Sequence, residues 1–394
     1  MSELAGRRLI HLTAADISLA LLLGPQLRAF ADEGMEVIGV SAPGPFVDQV
    51  ESWGIRHVPL LHSSRSVAPG DDLLAIPELI RVFKELRPDI VHTHNPKPGL
   101  FGRLAARAVG VPGIVNTVHG LYATPEDSLP RRLVVHGLER IAAACSQFEL
   151  VQNPDDLATL RRLGVPAEHL ILLGNGVDLE RFQPRRASGD IARARTELGV
   201  EPSAVVVGTV GRLVWGKGFR ELFAVAAQMR TSQPEVVFVV VGSIDRDKGD
   251  ALTEADVAEA KSLGNVVFAG HRDNVEDLYP GFDLFLLPSY REGFPRSAME
   301  AAASGLPVIA TDIRGCRQVV DHGVNGFLVP LHDIDALIDA VTKLATDPAG
   351  RGTMGARSRI KADAEFDDRQ IIRTTLDTYR RLPLDSPHRR GVRS

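Results

Sequence analysis

The chain has only two cysteines in 394 residues, Cys145 and Cys316, far apart and outside any Cys-x-x-Cys pattern. That scarcity excludes a disulfide framework and a cysteine zinc site, and it fits a reducing compartment. Long apolar runs are lacking too. The longest, around 19–23 and 236–241, fall far short of the ~20 residues that cross a bilayer. Neither sign of charge dominates: Lys+Arg 45 against Asp+Glu 50 gives a net charge of -5. This excludes a bulk-basic nucleic-acid binder while leaving room for a local basic groove. Arg7 and Arg8 run straight into a strand pattern, so no signal peptide is expected. The chain reads as soluble and cytoplasmic, with no nucleic acid among its partners. What is present is ordinary: 44% hydrophobic and 24% charged residues, at a length that suggests two or three globular domains.

Short runs rich in Val, Ile and Leu alternate with stretches of helical period from end to end. Strands are expected at 8–12, 36–41, 89–92, 114–118, 148–151 and 170–173, then at 204–210, 236–242, 266–269, 284–287, 307–310 and 326–329. Continuous apolar strands separated by helices predict parallel sheets covered on both faces, and the pattern runs twice. The expected class is α/β: two doubly wound, Rossmann-like domains facing across a cleft. The turn Asn175-Gly176-Val177-Asp178 and the polar stretch 181–199 mark the boundary. An N-terminal domain is thus expected at 1–180, a C-terminal domain at 195–365, a final helix at 366–382 and a disordered tail at 383–394. Ligands of open α/β sheets bind beyond the carboxyl ends of the strands, so chemistry is sought in the loops that follow them.

After the strand at 284–287 comes Arg291-Glu292-Gly293-Phe294-Pro295-Arg296-Ser297-Ala298-Met299-Glu300. A glycine opening the next helix lets a ligand approach the backbone, whose free N–H groups suit a phosphate. Glu300, two turns into that helix, is placed to accept hydrogen bonds from a pair of ribose hydroxyls. Two glutamates alone would read more simply as a helix cap and an exposed helical residue. The Gly-Phe-Pro between them and the strand–loop–helix setting favour a ligand site.

A second segment, 208–218, ends the first strand of the second domain in a glycine-rich turn, the pattern of a phosphate cradle. It is no P-loop, because Gly218 stands where Ser or Thr would be. Nor is it a clean Gly-x-Gly-x-x-Gly with an acidic residue closing the next strand, which excludes a nicotinamide-dependent oxidoreductase. It does carry Arg212 and Lys217 on one loop. Two such cations can neutralise a diphosphate leaving group without a metal, where the plain alternative is two surface charges.

His92-Thr93-His94 and His119-Gly120 close two strands of the first domain. A histidine there can hydrogen-bond a substrate hydroxyl or shuttle a proton. Zinc on His92, His94 and His119 is the competing reading, weakened by the lack of a nearby cysteine or carboxylate to complete it. His11, His57, His62 and His169 read as surface or strand-end histidines without a role. Lys97, Arg103 and Arg107, with Arg131 and Arg132 opening the helix of Leu133-Val134-Val135 and Leu138, mix cations with apolar residues. They form either a surface for anionic lipid or an ordinary amphipathic helix covering the sheet.

The pairing of Gly211-Arg212…Lys217-Gly218 with Glu292-x7-Glu300 resembles the retaining glycosyltransferases of family 4, which have the GT-B fold. Further motifs extend the resemblance over nearly the whole chain: Asp89-Ile-Val-His-Thr-His94, Thr117-Val-His-Gly120, Asn175-Gly-Val-Asp178, Gly270, Ala310-Thr-Asp-Ile-Arg-Gly315 and Asn325-Gly-Phe-Leu-Val329. The resemblance implies a nucleotide-diphosphate sugar, with UDP or GDP, as donor. Arg212 and Lys217 would then contact the diphosphate and Glu300 the ribose. Glu292, with the backbone of Gly293, Phe294 and Pro295, would hold the donor sugar and distal phosphate. His119 would lie near the sugar and reaction centre, and Gly270 and Arg272 at the base-binding loop. Transfer with retention is implied, carried by His119, Glu292, Arg212 and Lys217, with no metal and no cofactor. Asp245-Arg246-Asp247 is accordingly read as a chance match to a metal-binding D-x-D.

One loop departs from the common pattern. Thr13-Ala14-Ala15-Asp16-Ile17-Ser18 lacks the glycine pair that many members carry after the first strand. It resembles instead the branch that assembles capsule, O-antigen or exopolysaccharide on polyprenyl-diphosphate-linked acceptors, as do His94-Asn95-Pro96-Lys97-Pro98-Gly99 and Val118-His119-Gly120-Leu121-Tyr122. Expected partners are a nucleotide sugar, a glycan or lipid-linked sugar acceptor, and the inner face of the cytoplasmic membrane as a peripheral contact. The alternatives are a nucleotide-sugar epimerase or hydrolase, which turns over donor alone, and a non-catalytic nucleotide-sugar-binding subunit. The complete set of Arg212, Lys217, Glu292 and Glu300 argues against the latter.

Overall fold

The computed structural model describes residues 3–62, 69–123, 127–184, 187–246 and 248–384. The chain divides into two compact units, Met1–Leu173 with Ile371–Ser394, and Gly174–Gln370. In the first, the apolar runs become β1 (Arg8–Ala15), β2 (Glu36–Ala42), β3 (Arg56–Pro59), β4 (Ile90–His94), β5 (Gly113–Val118), β6 (Phe148–Val151) and β7 (Leu170–Leu172). They pair in parallel in the order β3-β2-β1-β4-β5-β6-β7. The second unit repeats the plan with β8 (Val205–Val210), β9 (Val236–Val241), β10 (Val266–Gly270), β11 (Leu284–Leu287), β12 (Val308–Thr311) and β13 (Gly326–Val329), ordered β10-β9-β8-β11-β12-β13. All twelve expected strands form. The addition is β3, whose sequence Arg-His-Val-Pro gives too short an apolar signal to be read.

Helices cross between the strands. In the first unit they are α1 (Gly24–Asp32), α2 (Val47–Ser52), α3 (Pro69–Leu86), α4 (Pro96–Ala108), α5 (Leu129–Ala143) and α6 (Pro154–Arg162). The second has α7 (Ser188–Leu198), α8 (Phe219–Ser232), α9 (Glu254–Ser262), α10 (Arg296–Ala303), α11 (Ile334–Thr346) and α12 (Pro348–Glu365), and α13 (Asp368–Arg380) follows. Each sheet buries both faces because neighbouring strand residues point opposite ways. Leu9 packs with Phe30, whereas Ile10 packs with Phe83. Val239 and Phe238 divide the same way in the second unit. Each such buried side chain contributes about 1.5–3 kcal/mol.

One placement adds to the linear reading and one corrects it. From Ile371 onward, the helix expected at 366–382 is part of the first unit, where Ile371, Leu376 and Tyr379 join the core of Leu9 and Phe30. The tail expected at 383–394 falls, from residue 385, outside the described residues. Arg103, expected among surface cations, is buried. Its guanidinium donates to Glu149 and to Glu139, each at 2.7 Å. Burial pushes the Glu149 carboxyl up and Arg103 pulls it back, the net direction being up. Two carboxylate acceptors compensate its buried head.

In each sheet the connections reverse direction once, between β1 and β4 and between β8 and β11. The crevice beyond the strand ends at such a switch point is where doubly wound sheets bind ligands.

Candidate active site

The loop after β8 is held from below and charged above. Leu213 and Val214 are buried, and the Leu213 N–H donates to Ser243, which leaves Arg212 turned outward with a side chain 52% exposed. Its Nη1 donates to Asp245 at 2.7 Å. A short turn, Trp215–Lys217, then closes on Gly218 at φ +78°. A side chain there would strike the Pro288 carbonyl at the start of the loop after the neighbouring β11, so only glycine lets the two loops meet. Across that contact, Lys217 Nζ donates to Glu292 Oε1 at 2.6 Å, with Lys217 22% and Glu292 12% exposed. The two motifs singled out in the sequence therefore join at one ion pair.

The helix after Glu292 begins later than expected. Gly293 and Phe294 remain in the loop, Pro295 is the N-cap of α10, and Glu300 lies one turn in rather than two. Phe294 packs edge-on against Phe366, and its carbonyl accepts from Asn175 at 3.2 Å. Glu300 is buried, accepting from Tyr279 Oη at 3.0 Å and Arg296 Nε at 3.2 Å. Burial raises its pKa above the usual carboxylate range, against the pull of Arg296. Gly270 ends β10 at φ +73°, and its carbonyl accepts from the Gly242 N–H at 2.9 Å. Arg272 lies 3.9 Å from Glu197. Gly270 ends and Arg272 follows the edge strand, with β9 between it and β8. Cys316 is buried, and burial pushes its thiol up, so it offers no thiolate nucleophile.

His119 belongs to the other unit and is not a lone residue. Its Nε2 shares a hydrogen bond with Nδ1 of His94 at 3.0 Å, and Nε2 of His94 shares one with Nδ1 of His11 at 2.9 Å. The Gln152 side chain also hydrogen-bonds His119. Beside this chain, His92 bonds Tyr379 Oη at 2.6 Å and Thr117 Oγ1 at 2.8 Å. His11, expected at the surface or a strand end without a role, is fully buried between β4 and the C-terminal helix. Burial lowers the pKa of His119 to about 4 and of His11 to about 3, with His92 and His94 well below 6.5. All four are neutral at pH 7, and each neutral imidazole donates once and accepts once. The proton on one ring therefore orders the next, from His11 to His119. The nitrogens that converge within 4.8 Å are those of His11, His92 and His94, not the trio the sequence suggested.

Sequence reasoning missed Asp245, Tyr279, Arg296 and Tyr379. Asp245 was set aside as half of an accidental D-x-D, whose Asp247 lies outside the described residues. It is instead the partner of Arg212. The other three act through tertiary contacts that no local pattern announces.

Two doubly wound units, with a charged loop pair at the switch point of the second, define a GT-B glycosyltransferase. The sequence matches the family described as Glycosyl transferases group 1 over residues 204–347 and Glycosyltransferase Family 4 over residues 26–181. The chain belongs to this family. It is 33% identical, over 309 residues, to the UDP-Gal:alpha-D-GlcNAc-diphosphoundecaprenol alpha-1,3-galactosyltransferase of Escherichia coli, covering 77% of this chain and 78% of that one. It is 27% identical to the capsular polysaccharide biosynthesis glycosyltransferase CapM of Staphylococcus aureus, over 94% and 96% of the two chains. In fold it is similar to sucrose-phosphate synthase from Thermosynechococcus elongatus, with TM-score 0.81, 24% identity and coverage of 95% and 98%. Anabaena HepE, solved in complex with UDP and glucose, gives TM-score 0.78, 23% identity and coverage of 95% and 99%.

Proposed function

We propose that the protein is a retaining glycosyltransferase that moves a hexose or N-acetylhexosamine from a UDP- or GDP-sugar to a polyprenyl-diphosphate-linked or glycan acceptor, without a metal. The observation that carries the reading is the Lys217–Glu292 pair beside Arg212 at the switch point of the second sheet. Each cation is engaged by one carboxylate and keeps further N–H donors. A diphosphate can draw on both, and the charge that builds up as it departs is what fixed cations stabilise best. Glu300, held by Tyr279 and Arg296, has the acceptor oxygens a ribose diol needs. Glu292, the carboxylate paired with Lys217, is assigned to the sugar hydroxyls, with the backbone of Gly293 to Pro295. Gly270 and Arg272 keep the base, and His119 keeps its role at the donor sugar with its ring order fixed by His94.

In the transfer step the bond from the anomeric carbon to the phosphate oxygen breaks and a bond to the acceptor oxygen forms on the same face. The acceptor's proton passes to the departing phosphate. Relatives named for a diphosphoundecaprenol-linked acceptor and for capsule synthesis support the lipid-linked acceptor, and a relative named for UDP-Gal supports UDP.

The test is a thermal-shift panel of UDP, GDP and ADP with their sugars, followed by turnover with and without a lipid-linked acceptor and NMR of the product's anomeric centre. Selective stabilisation by one nucleotide and an acceptor-dependent product of retained configuration are expected. Turnover of donor alone, or an inverted product, overturns the assignment.

A further inference from the structure

The exposed side of α5 carries Leu129, Leu133, Val134, Leu138 and Ile141, each between 43% and 66% exposed, with Gly137 exposed among them. On a helix that turns about 100° per residue, these six positions fall on one half of the cylinder. The other half holds the helix in place. Ala142 and Ala143 are buried, and Glu139 accepts from the buried Arg103 at 2.7 Å. A helix that covers a sheet puts its large apolar side chains inward. This one is anchored by small residues and one ion pair, and shows its large ones to solvent.

The borders of the apolar half are basic. Arg140 lies just inside one edge, between Leu129 and Leu133, and Arg131 just beyond the other, both exposed. The one acidic residue within the helix, Glu139, is taken up by Arg103, and Asp127 before it lies 3.3 Å from Arg131. Single exposed leucines mean nothing, but a contiguous apolar row rimmed by cations marks a docking face. A second copy of this chain is a poor occupant, because an antiparallel two-fold pairing would bring Arg131 of one copy against Arg140 of the other.

We propose that this face of α5 docks on an anionic lipid surface, with Leu129, Leu133, Val134, Leu138 and Ile141 in the acyl boundary and Arg131 and Arg140 at the headgroups. The helix lies in the membrane plane. Its 15 residues span about 22 Å, and among the described residues no helix is long and apolar enough to cross a membrane. Its first turn follows the carboxyl end of β5, the strand that ends one residue before His119. Docking there brings the functional end of that sheet to the surface holding the proposed lipid-linked acceptor. The proposal stands on the helix face alone, and the site of transfer follows from it only under the reading above.

Co-sedimentation of the full chain with vesicles of phosphatidylglycerol and phosphatidylcholine, against phosphatidylcholine alone, tests it. Partitioning onto the anionic vesicles is expected to exceed the neutral control by about 10-fold, and Leu133→Gln with Leu138→Gln to lower it by about 10-fold or more. Arg131→Gln with Arg140→Gln should erase the preference for anionic lipid, about 5- to 30-fold. Unchanged thermal unfolding and nucleotide binding check that these surface variants are folded. A wild-type chain that stays in the supernatant with both vesicles, or a leucine variant that sediments like wild type, overturns the proposal. A dimer that Leu133→Gln dissociates, with no lipid binding, gives the face to a second copy instead. Lost nucleotide binding with intact lipid binding would strike the transferase reading alone.

Discussion

The two units solve the same topological problem with opposite chemistry. Around the switch point of the first sheet, β1, β4 and the turn after β5 place four neutral histidines in or beside the interior, three linked ring to ring and His92 held by Tyr379 and Thr117. At the switch point of the second, β8 and β11 lead into loops whose cations are only partly covered and are each held by one carboxylate. The first arrangement fixes a shape. The second leaves charge where a ligand can reach it. A buried, satisfied polar network resists change because every member lost strands another, whereas a half-exposed ion pair is cheap to reorganise. The comparison therefore predicts that mutations at the second switch point cost activity and those at the first cost stability.

The largest expected effect is at Lys217. Lys217→Ala should lower kcat by about 100- to 1000-fold, the usual loss when one donor to developing charge is removed, while the melting temperature holds. A variant with normal turnover would break the comparison at its active end.

Next is His94→Leu, which leaves Nδ1 of His11 and Nε2 of His119 without their shared partner. Denaturant unfolding at pH 7 should show a loss of about 2–3 kcal/mol, and nucleotide binding should be unchanged. The same histidines set the acid response. Their folded pKa values lie below the ordinary 6.5, down to about 4 for His119 and about 3 for His11, so the unfolded chain takes up protons that the native one refuses. Stability is full above pH 6.5 and falls as pH drops below it, by about 1.4 kcal/mol per pH unit for each histidine kept neutral. Unfolding curves at pH 7, 6 and 5 that superimpose would contradict a dry network.

Smaller again is Arg212→Ala, about 10-fold in kcat/KM, because that side chain is half exposed and solvent screens it. A greater loss than at Lys217 would reverse the ranking of the two cations.

The same contrast governs what could be read from sequence. Arg212, Lys217, Glu292 and Glu300 sit in two short segments with glycines at the turns, so strand, loop and charge are written locally, and the strands themselves are written in runs such as Val-Val-Phe-Val-Val-Val. The histidine network is not local. His11 meets His94 across 83 residues, and His92 meets Tyr379 across 287. Nothing within a window of ten residues separates a strand-end histidine at the surface from one sealed by a helix that returns from the far end of the chain. Arg103 misled for the same reason: its two glutamates lie 36 and 46 residues away. The apolar face of α5 was half legible, since the cations and leucines were visible but not the direction in which they point.

Glu300 is where the two chemistries meet, and it sharpens the comparison with the smallest effect. It is an acidic residue of the unit assigned the diphosphate, yet buried like a histidine of the other. Burial raises its folded pKa above the unfolded carboxylate value, so the native state holds its proton longer than the unfolded chain does. The sign follows. As pH rises from the ordinary carboxylate value through the raised one, ionising Glu300 costs folding free energy. As pH falls through the raised value, the carboxylate proposed to accept the ribose hydroxyls is lost, at a higher pH than for an exposed glutamate. Glu300→Gln keeps an acceptor for Tyr279 and removes the buried charge. It should weaken nucleotide binding several-fold, flatten its acid limb, and leave the protein slightly more stable at pH 7 without nucleotide, as expected when a functional group is kept at the expense of the fold. Calorimetric titration with UDP across pH 4.5 to 8, beside thermal unfolding of both forms, reads all three. A variant that is less stable and binds as tightly would make Glu300 a structural residue, and would move the ribose contact elsewhere in the second unit.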